Sequence, residues 1–105
     1  VFVLTSHPEG LALVGLEAMA CGVPVVSTRC GGPEDYIKDG ITGYLSDPLP
    51  ETFADHICNV LRDQKTYKKM SQACRKIACE EFCEGVFEQH LDEAWKVAWG
   101  GSYRD

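Results

Sequence analysis

Two carboxylates, Glu9 and Glu17, bracket the start of an apolar run, and Glu17 is the only charged residue between Gly10 and Thr28. Its neighbours Leu16, Ala18, Met19 and Ala20 predict a buried carboxylate, which must hydrogen-bond, take up a proton or face a polar ligand. The plainer reading is an acid that caps a nearby turn or escapes at the helix edge. Glu9 stands in the turn Thr5-Ser6-His7-Pro8-Glu9-Gly10, ahead of the helical pattern, so the two acids flank a helix N-terminus rather than share one face. Between them lie the backbone N–H groups of Leu11, Ala12 and Leu13. A helix start offers unpaired donors and a partial positive charge, a natural seat for phosphate. An acid on either side then suits the hydroxyls at the two ends of a sugar diphosphate nucleoside, and Gly10 lets the backbone approach such a ligand. His7 could act as a general base, although a turn histidine before Pro8 reads more simply as polar surface.

These residues need a scaffold. Val1 to Leu4 is an apolar, β-favouring stretch that suits a short central strand covered on both faces. Leu11 to Cys21 reads as a buried helix with Leu13, Leu16, Met19 and Ala20 on one face, and Gly22 is placed for a left-handed C-cap. Val23 to Ser27 is a second strand, with Pro24 tolerable near its start. Cys30-Gly31-Gly32-Pro33 is a glycine turn with proline at a helix N1 position, leading into a short helix over Glu34 to Lys38 that Asp39-Gly40 closes. Thr42 to Leu45 reads as a third strand. Strands joined by helical crossovers imply parallel pairing, hence a Rossmann-like open α/β sheet of about three strands whose ligands sit at the strands' carboxyl ends.

After Pro50 the period changes. Phe53, Ile57, Val60 and Leu61 repeat at helical spacing, as do Tyr67, Met70, Cys74 and Ile77. A last helix carries the broad stripe Val86, Phe87, Leu91, Ala94, Trp95, Ala98 and Trp99, ended by Gly100-Gly101. The organisation is therefore a βαβαβ region over 1–48 and a helical region over 49–105. So much helix on a thin sheet is expected to leave apolar surface open to self-association or to another domain. Trp95 and Trp99 could stack on a sugar ring, but packing is the simpler role.

Composition removes several classes. The 105 residues suffice for one small domain, and 45% hydrophobic with 25% charged residues is ordinary globular composition. Ten basic against sixteen acidic residues, a formal charge of −6, argue against a nucleic-acid partner. No apolar run approaches the roughly 20 residues that span a bilayer. Six cysteines without a Cys-rich loop framework suggest reduced thiols in a cytoplasmic protein. Cys74, Cys79 and Cys83 lie close enough in sequence to raise metal binding, but no CxxC supports it, and no metal or cofactor is expected. The chain opens on a strand at Val1 with no initiator methionine or signal sequence, so a fragment of a longer protein is expected.

The run from Ser6 through Glu9, Gly10, Glu17 and Gly22 to Ser27 resembles the E-x7-E motif and following strand of the glycogen-synthase-like retaining glycosyltransferases, the group 1 or family 4 kind. Gly31-Gly32, Glu34, Asp39-Gly40 and Gly43 resemble the next elements of that pattern in the same order. The likeness is close over the first half of the chain and architectural over the rest. It implies the C-terminal, donor-binding part of a GT-B enzyme whose N-terminal acceptor domain is absent. Glu9 would then be the catalytic acid near the donor sugar, and Glu17 would bind the ribose. Backbone at Gly10, Leu11, Ala12 and Leu13 would touch the sugar and diphosphate, and Gly31 and Gly32 would line the same cleft. The pattern has glycine where this chain has Ala12, a change that disfavours positive φ. Its basic pair for the diphosphate lies upstream of these residues, and Arg29, the nearest local cation, reads as a solvated loop residue.

The resemblance implies retaining transfer of a sugar from a nucleotide-diphosphate donor to an acceptor hydroxyl by a piece that is inactive alone. The acceptor would meet the missing domain, peripherally to the membrane where it is lipid-linked. Two other readings stand beside it: a non-catalytic assembly module on a Rossmann-like scaffold, and a GT-B nucleotide-sugar epimerase or phosphorylase, against which the complete glutamate pair argues.

Overall fold

Strand β2 (Val25–Thr28) is buried at all four positions and is the axis of the molecule. In the computed structural model, which describes residues 1–6, 10 and 12–100, it pairs in parallel with β1 (Phe2–Leu4) on one side and β3 (Gly43–Ser46) on the other. Val26 is opposite Val3 in one ladder and Tyr44 in the other. Because successive side chains on a strand point to opposite faces, Val25 and Val26 enter different cores. Val25 packs with Met19 of α1 (Leu13–Ala20), Tyr36 of α2 (Pro33–Tyr36) and Cys74 of α4 (Gln64–Glu81). Val26 packs with Phe53 and Val60 of α3 (Pro50–Leu61) and Met70 of α4. The sheet thus has helices on both faces, the expected open α/β arrangement.

The boundaries and faces differ in ways with physical causes. Helix α1 begins at Leu13 rather than Leu11, because Ala12 at its N-cap is left-handed, at φ 55° and ψ 63°. Gly15 and Met19 are its buried residues, while Leu13, expected to be buried, is 59% exposed and Ala20 faces solvent. A helix apolar nearly all round gave periodicity little purchase on which side would pack. Glu17, expected to be buried, is exposed. The helix ends in a Schellman motif, with Gly22 at φ 77° donating to the Met19 carbonyl and Val23 to that of Ala18. Strand β2 starts two residues later than expected and ends one later, β3 starts and ends one later, and α2 starts at Pro33 rather than Glu34 and stops at Tyr36 rather than Lys38. Val3 is 40% exposed, so β1 is not the doubly covered strand its composition suggested.

Helices α3 and α4 follow the expected pattern, with Leu61 as the exception, exposed at the end of its helix. Asp63 caps α4, accepting from the N–H groups of Lys65 and Thr66. The Thr66 hydroxyl, also bonded to it, is the main cause holding this carboxyl below the usual carboxylate range. Cys74 is buried and donates its thiol to the Thr42 carbonyl at 3.1 Å; burial pushes its pKa up to about 11. Cys21, Cys58, Cys79 and Cys83 are exposed, so Cys74 stands apart from the other two members of its sequence cluster.

Helix α5 (Glu84–Trp99) has no buried residue. Phe87, Leu91, Trp95, Val97 and Trp99 are all exposed, and the Trp95 and Trp99 rings lean on each other at 5.9 Å. The radius of gyration of 16.0 Å, against about 13 Å for a compact chain of this length, reflects the elongated 52 × 29 × 17 Å outline. No helix among the described residues is long and apolar enough to cross a membrane.

At the entry to β3 two backbones come close together. Gly43 has φ 150°, and a Cβ there would lie 2.7 Å from the carbonyl carbon of Val25 and overlap its oxygen. The obstacle is backbone, so no side chain can move aside. Gly43→Ala is expected to destabilise the fold by about 3 kcal/mol or more, measured by chemical unfolding.

Candidate functional site

Parallel pairing brings the carboxyl ends of β1 and β2 to one edge, and the segments that follow them meet there. After β1 come Thr5 and Ser6; after β2 comes Arg29 to Gly32. Thr28 ties the two together, its hydroxyl donating to the Ser6 carbonyl at 2.7 Å. His7, Pro8, Glu9 and Leu11 lie outside the described residues, so the expected roles of Glu9 and Leu11 rest on sequence. Gly10 is exposed, and a Cβ there would meet no described atom within 4 Å, leaving room for close approach.

The head of α1 is built around Ala12. It is the one non-glycine residue with positive φ among the described residues, at the position where the resemblance noted above expects glycine. Its carbonyl accepts from the N–H of Gly15 at 3.0 Å and from the Tyr36 hydroxyl at 2.8 Å. Leu13 and Val14, the first two helical residues, are exposed at the end where helical N–H groups lack intrahelical partners. Gly15 is buried because Tyr36 occupies the space of its missing side chain: a Cβ would overlap the phenol oxygen and lie 3.0 Å from Cζ. Tyr36 is wholly buried and meets Phe82 edge to face at 6.4 Å.

Glu17 stands one turn into α1 with its side chain toward solvent, available to a ligand rather than sealed in the core. Gly31 needs to be glycine, with φ 109°, whereas Gly32 is right-handed at φ −49° and serves as N-cap of α2. Their carbonyls accept from Glu34 and Asp35, closing the turn. Arg29 is half exposed and engaged with Asp47, Nη1 to Oδ1 at 2.6 Å, as a loop residue. Beside the edge, Thr5, Thr28, Leu49, Phe53 and Ile57 line a largely apolar hollow of about 420 Å³.

The parallel order thus sets Ala12 and Leu13, at the start of α1, and Gly31 and Gly32, after β2, on the carboxyl side of the strands, with Glu17 one turn into the helix. Tyr36 and Gly15 were not singled out from sequence. The available signal was Gly15 itself: a glycine inside an apolar helix costs about 1 kcal/mol against alanine and marks a close approach.

The family described as Glycosyl transferases group 1 matches the chain over residues 1–77. N-acetyl-alpha-D-glucosaminyl L-malate synthase of Bacillus anthracis is 40% identical over 83 residues, which cover 78% of this chain and 22% of that protein. D-inositol 3-phosphate glycosyltransferase of Paenarthrobacter aurescens is 42% identical over 73 residues, 69% of this chain and 18% of its own. The chain thus spans about a fifth of the length of these relatives. Among solved structures, sucrose-phosphate synthase from Thermosynechococcus elongatus superposes with a TM-score of 0.82 at 25% identity, over 93% of this chain and 25% of its own. Anabaena HepE, solved in complex with UDP, gives 0.77 at 27% identity, over 86% and 25%.

The packing of Tyr36 into Gly15 generates a coupled pair of expectations. Gly15→Ala should destabilise the chain by about 1–3 kcal/mol in denaturant unfolding, although alanine is the better helix former. Combined with Tyr36→Phe, which removes the overlapping oxygen, it should cost less than the sum of the two single changes.

Proposed function

The chain belongs to the group 1 glycosyl transferases, and from that premise we propose that it is the donor-binding part of an enzyme that moves a sugar from a nucleotide diphosphate to an acceptor hydroxyl, with retention at the anomeric carbon. The observation that carries the reading is the exposed head of α1, with its left-handed Ala12, at the common carboxyl edge of β1 and β2. An open parallel sheet takes its ligands at that edge. The likeness to HepE, solved with UDP, supports a nucleoside diphosphate as the ligand.

In this reading the backbone around Gly10 to Leu13 receives the diphosphate and part of the sugar, Glu9 lies against the donor sugar, and Glu17 accepts hydrogen bonds from ribose hydroxyls. Gly31 and Gly32 line the opposite wall. The exposed Glu17 suits this role better than a buried acid would, because its side chain is open to an approaching ligand. Catalysis is mostly positioning and stabilisation of the leaving diphosphate, by the helix dipole and amides here and by cations elsewhere in the enzyme, since Arg29 is engaged with Asp47. The reading needs no metal or other cofactor. The acceptor site, lipid-linked or not, belongs to a domain outside these 105 residues, and the chain alone is inactive in transfer. A second reading, an assembly module, is favoured by one observation, the unburied apolar stripe of α5.

Calorimetric titration of the chain with UDP, GDP, ADP and their sugar conjugates tests the first reading. One nucleotide is expected to bind, with affinity falling about ten-fold in Glu17→Ala and no sugar transfer detected. A folded chain that binds none of them would sink the donor role and leave the assembly reading; measurable transfer would refute inactivity alone.

A further inference from the structure

Three residues from separate places in the chain converge on one peptide group. Ala12 adopts a conformation that alanine rarely takes. Gly15 has no side chain where the Tyr36 phenol sits. Tyr36, fully buried, donates its hydroxyl to the Ala12 carbonyl at 2.8 Å. A ring buried only for packing could be phenylalanine, whereas a buried phenol must place its hydroxyl on a partner, here the Ala12 carbonyl; and a glycine in the first turn of α1 is unnecessary unless something must enter there. The arrangement holds the Ala12–Leu13 peptide in one orientation. Were Ala12 to relax to right-handed torsions, that peptide plane would turn, and the Leu13 N–H with it.

We propose that Tyr36 is a positioning residue for the nucleotide-sugar donor: its hydroxyl latches the left-handed Ala12 peptide and so aims the backbone amides at the head of α1 toward the diphosphate. The inference rests on the donor-binding reading above. Because Tyr36 belongs to α2, whose N-cap is Gly32, the latch also joins the two walls of the cleft. Two hydrogen bonds thus link described residues on the β1 side to the β2 side, Thr28 to the Ser6 carbonyl and Tyr36 to the Ala12 carbonyl.

The test is a double-mutant cycle on Tyr36→Phe and Ala12→Gly in the full chain, read in two ways. In denaturant unfolding, which needs no ligand, Tyr36→Phe should shift the folding equilibrium roughly five- to ten-fold in the Ala12→Gly background, where the whole hydrogen bond is lost, and clearly less in the wild-type background, where losing the latch lets the Ala12 strain relax. Equal effects in both backgrounds would overturn the latch. In titration, Tyr36→Phe should weaken UDP roughly five- to ten-fold, leave the affinity for the bare nucleoside unchanged, and recover to within about two-fold of wild type when Ala12→Gly is added. A UDP affinity untouched by Tyr36→Phe, or a loss that Ala12→Gly does not rescue, would overturn the positioning role. Coupling in unfolding together with no nucleotide binding by the wild-type chain would keep the latch, overturn the donor reading, and remove the positioning role with it.

Discussion

One backbone torsion sets the shape of the carboxyl edge. Alanine at φ 55° costs about 1 kcal/mol or somewhat more relative to its ordinary regions. The hydrogen bond from Tyr36 returns a net contribution of similar size, about 1 kcal/mol, and losing the carbonyl would leave a buried hydroxyl without that partner. The two terms nearly cancel, so neither the strain nor the contact is understandable alone. Their joint result is geometric: α1 starts at Leu13, its first residues are exposed, and its N-cap lies outside the helical torsions.

That torsion has meaning only because the strands are parallel. Val25 and Val26 send adjacent side chains into separate cores, so helices must cover both faces of β2, and each crossover returns the chain to the same end of the sheet. The loops after β1 and β2 therefore meet whatever their sequence. Thr28, fixing Ser6 from the end of the central strand, is the polar counterpart of this packing. At the opposite end, Gly43 lets β3 close on Val25 where any side chain would strike backbone.

The βαβαβ order, the glycine turn, Pro33 at the helix start and the helical second half were all legible in the sequence, because each rests on local chemistry: apolar runs, turn residues and spacing. The family was legible because the glutamates and glycines occur in one order within one run. Faces were less legible. The stretch from Leu11 to Cys21 is apolar on every side, so nothing local distinguished Met19, which packs, from Leu13, which does not. Glu17 read as buried for the same reason, its neighbours in sequence being apolar while its neighbours in space are solvent. The Tyr36 contact was out of reach because it joins residues 24 apart, and a tyrosine in Pro33–Tyr36 carries no periodic signal. The Ala12 departure from the family's glycine was visible, but its consequence required the torsion.

Helix α5 gives the molecule an uneven distribution of resistance to opening. With no side chain fully withdrawn from water, it draws little on the cooperative core, and a helix of 16 residues is marginal on its own propensity. Its amides should therefore exchange with solvent deuterium through a local melting that leaves β2 and α4 intact. Whatever surface covers Phe87, Trp95 and Trp99 would be felt first as slowed exchange in this one helix, long before it registered in the melting temperature of the whole.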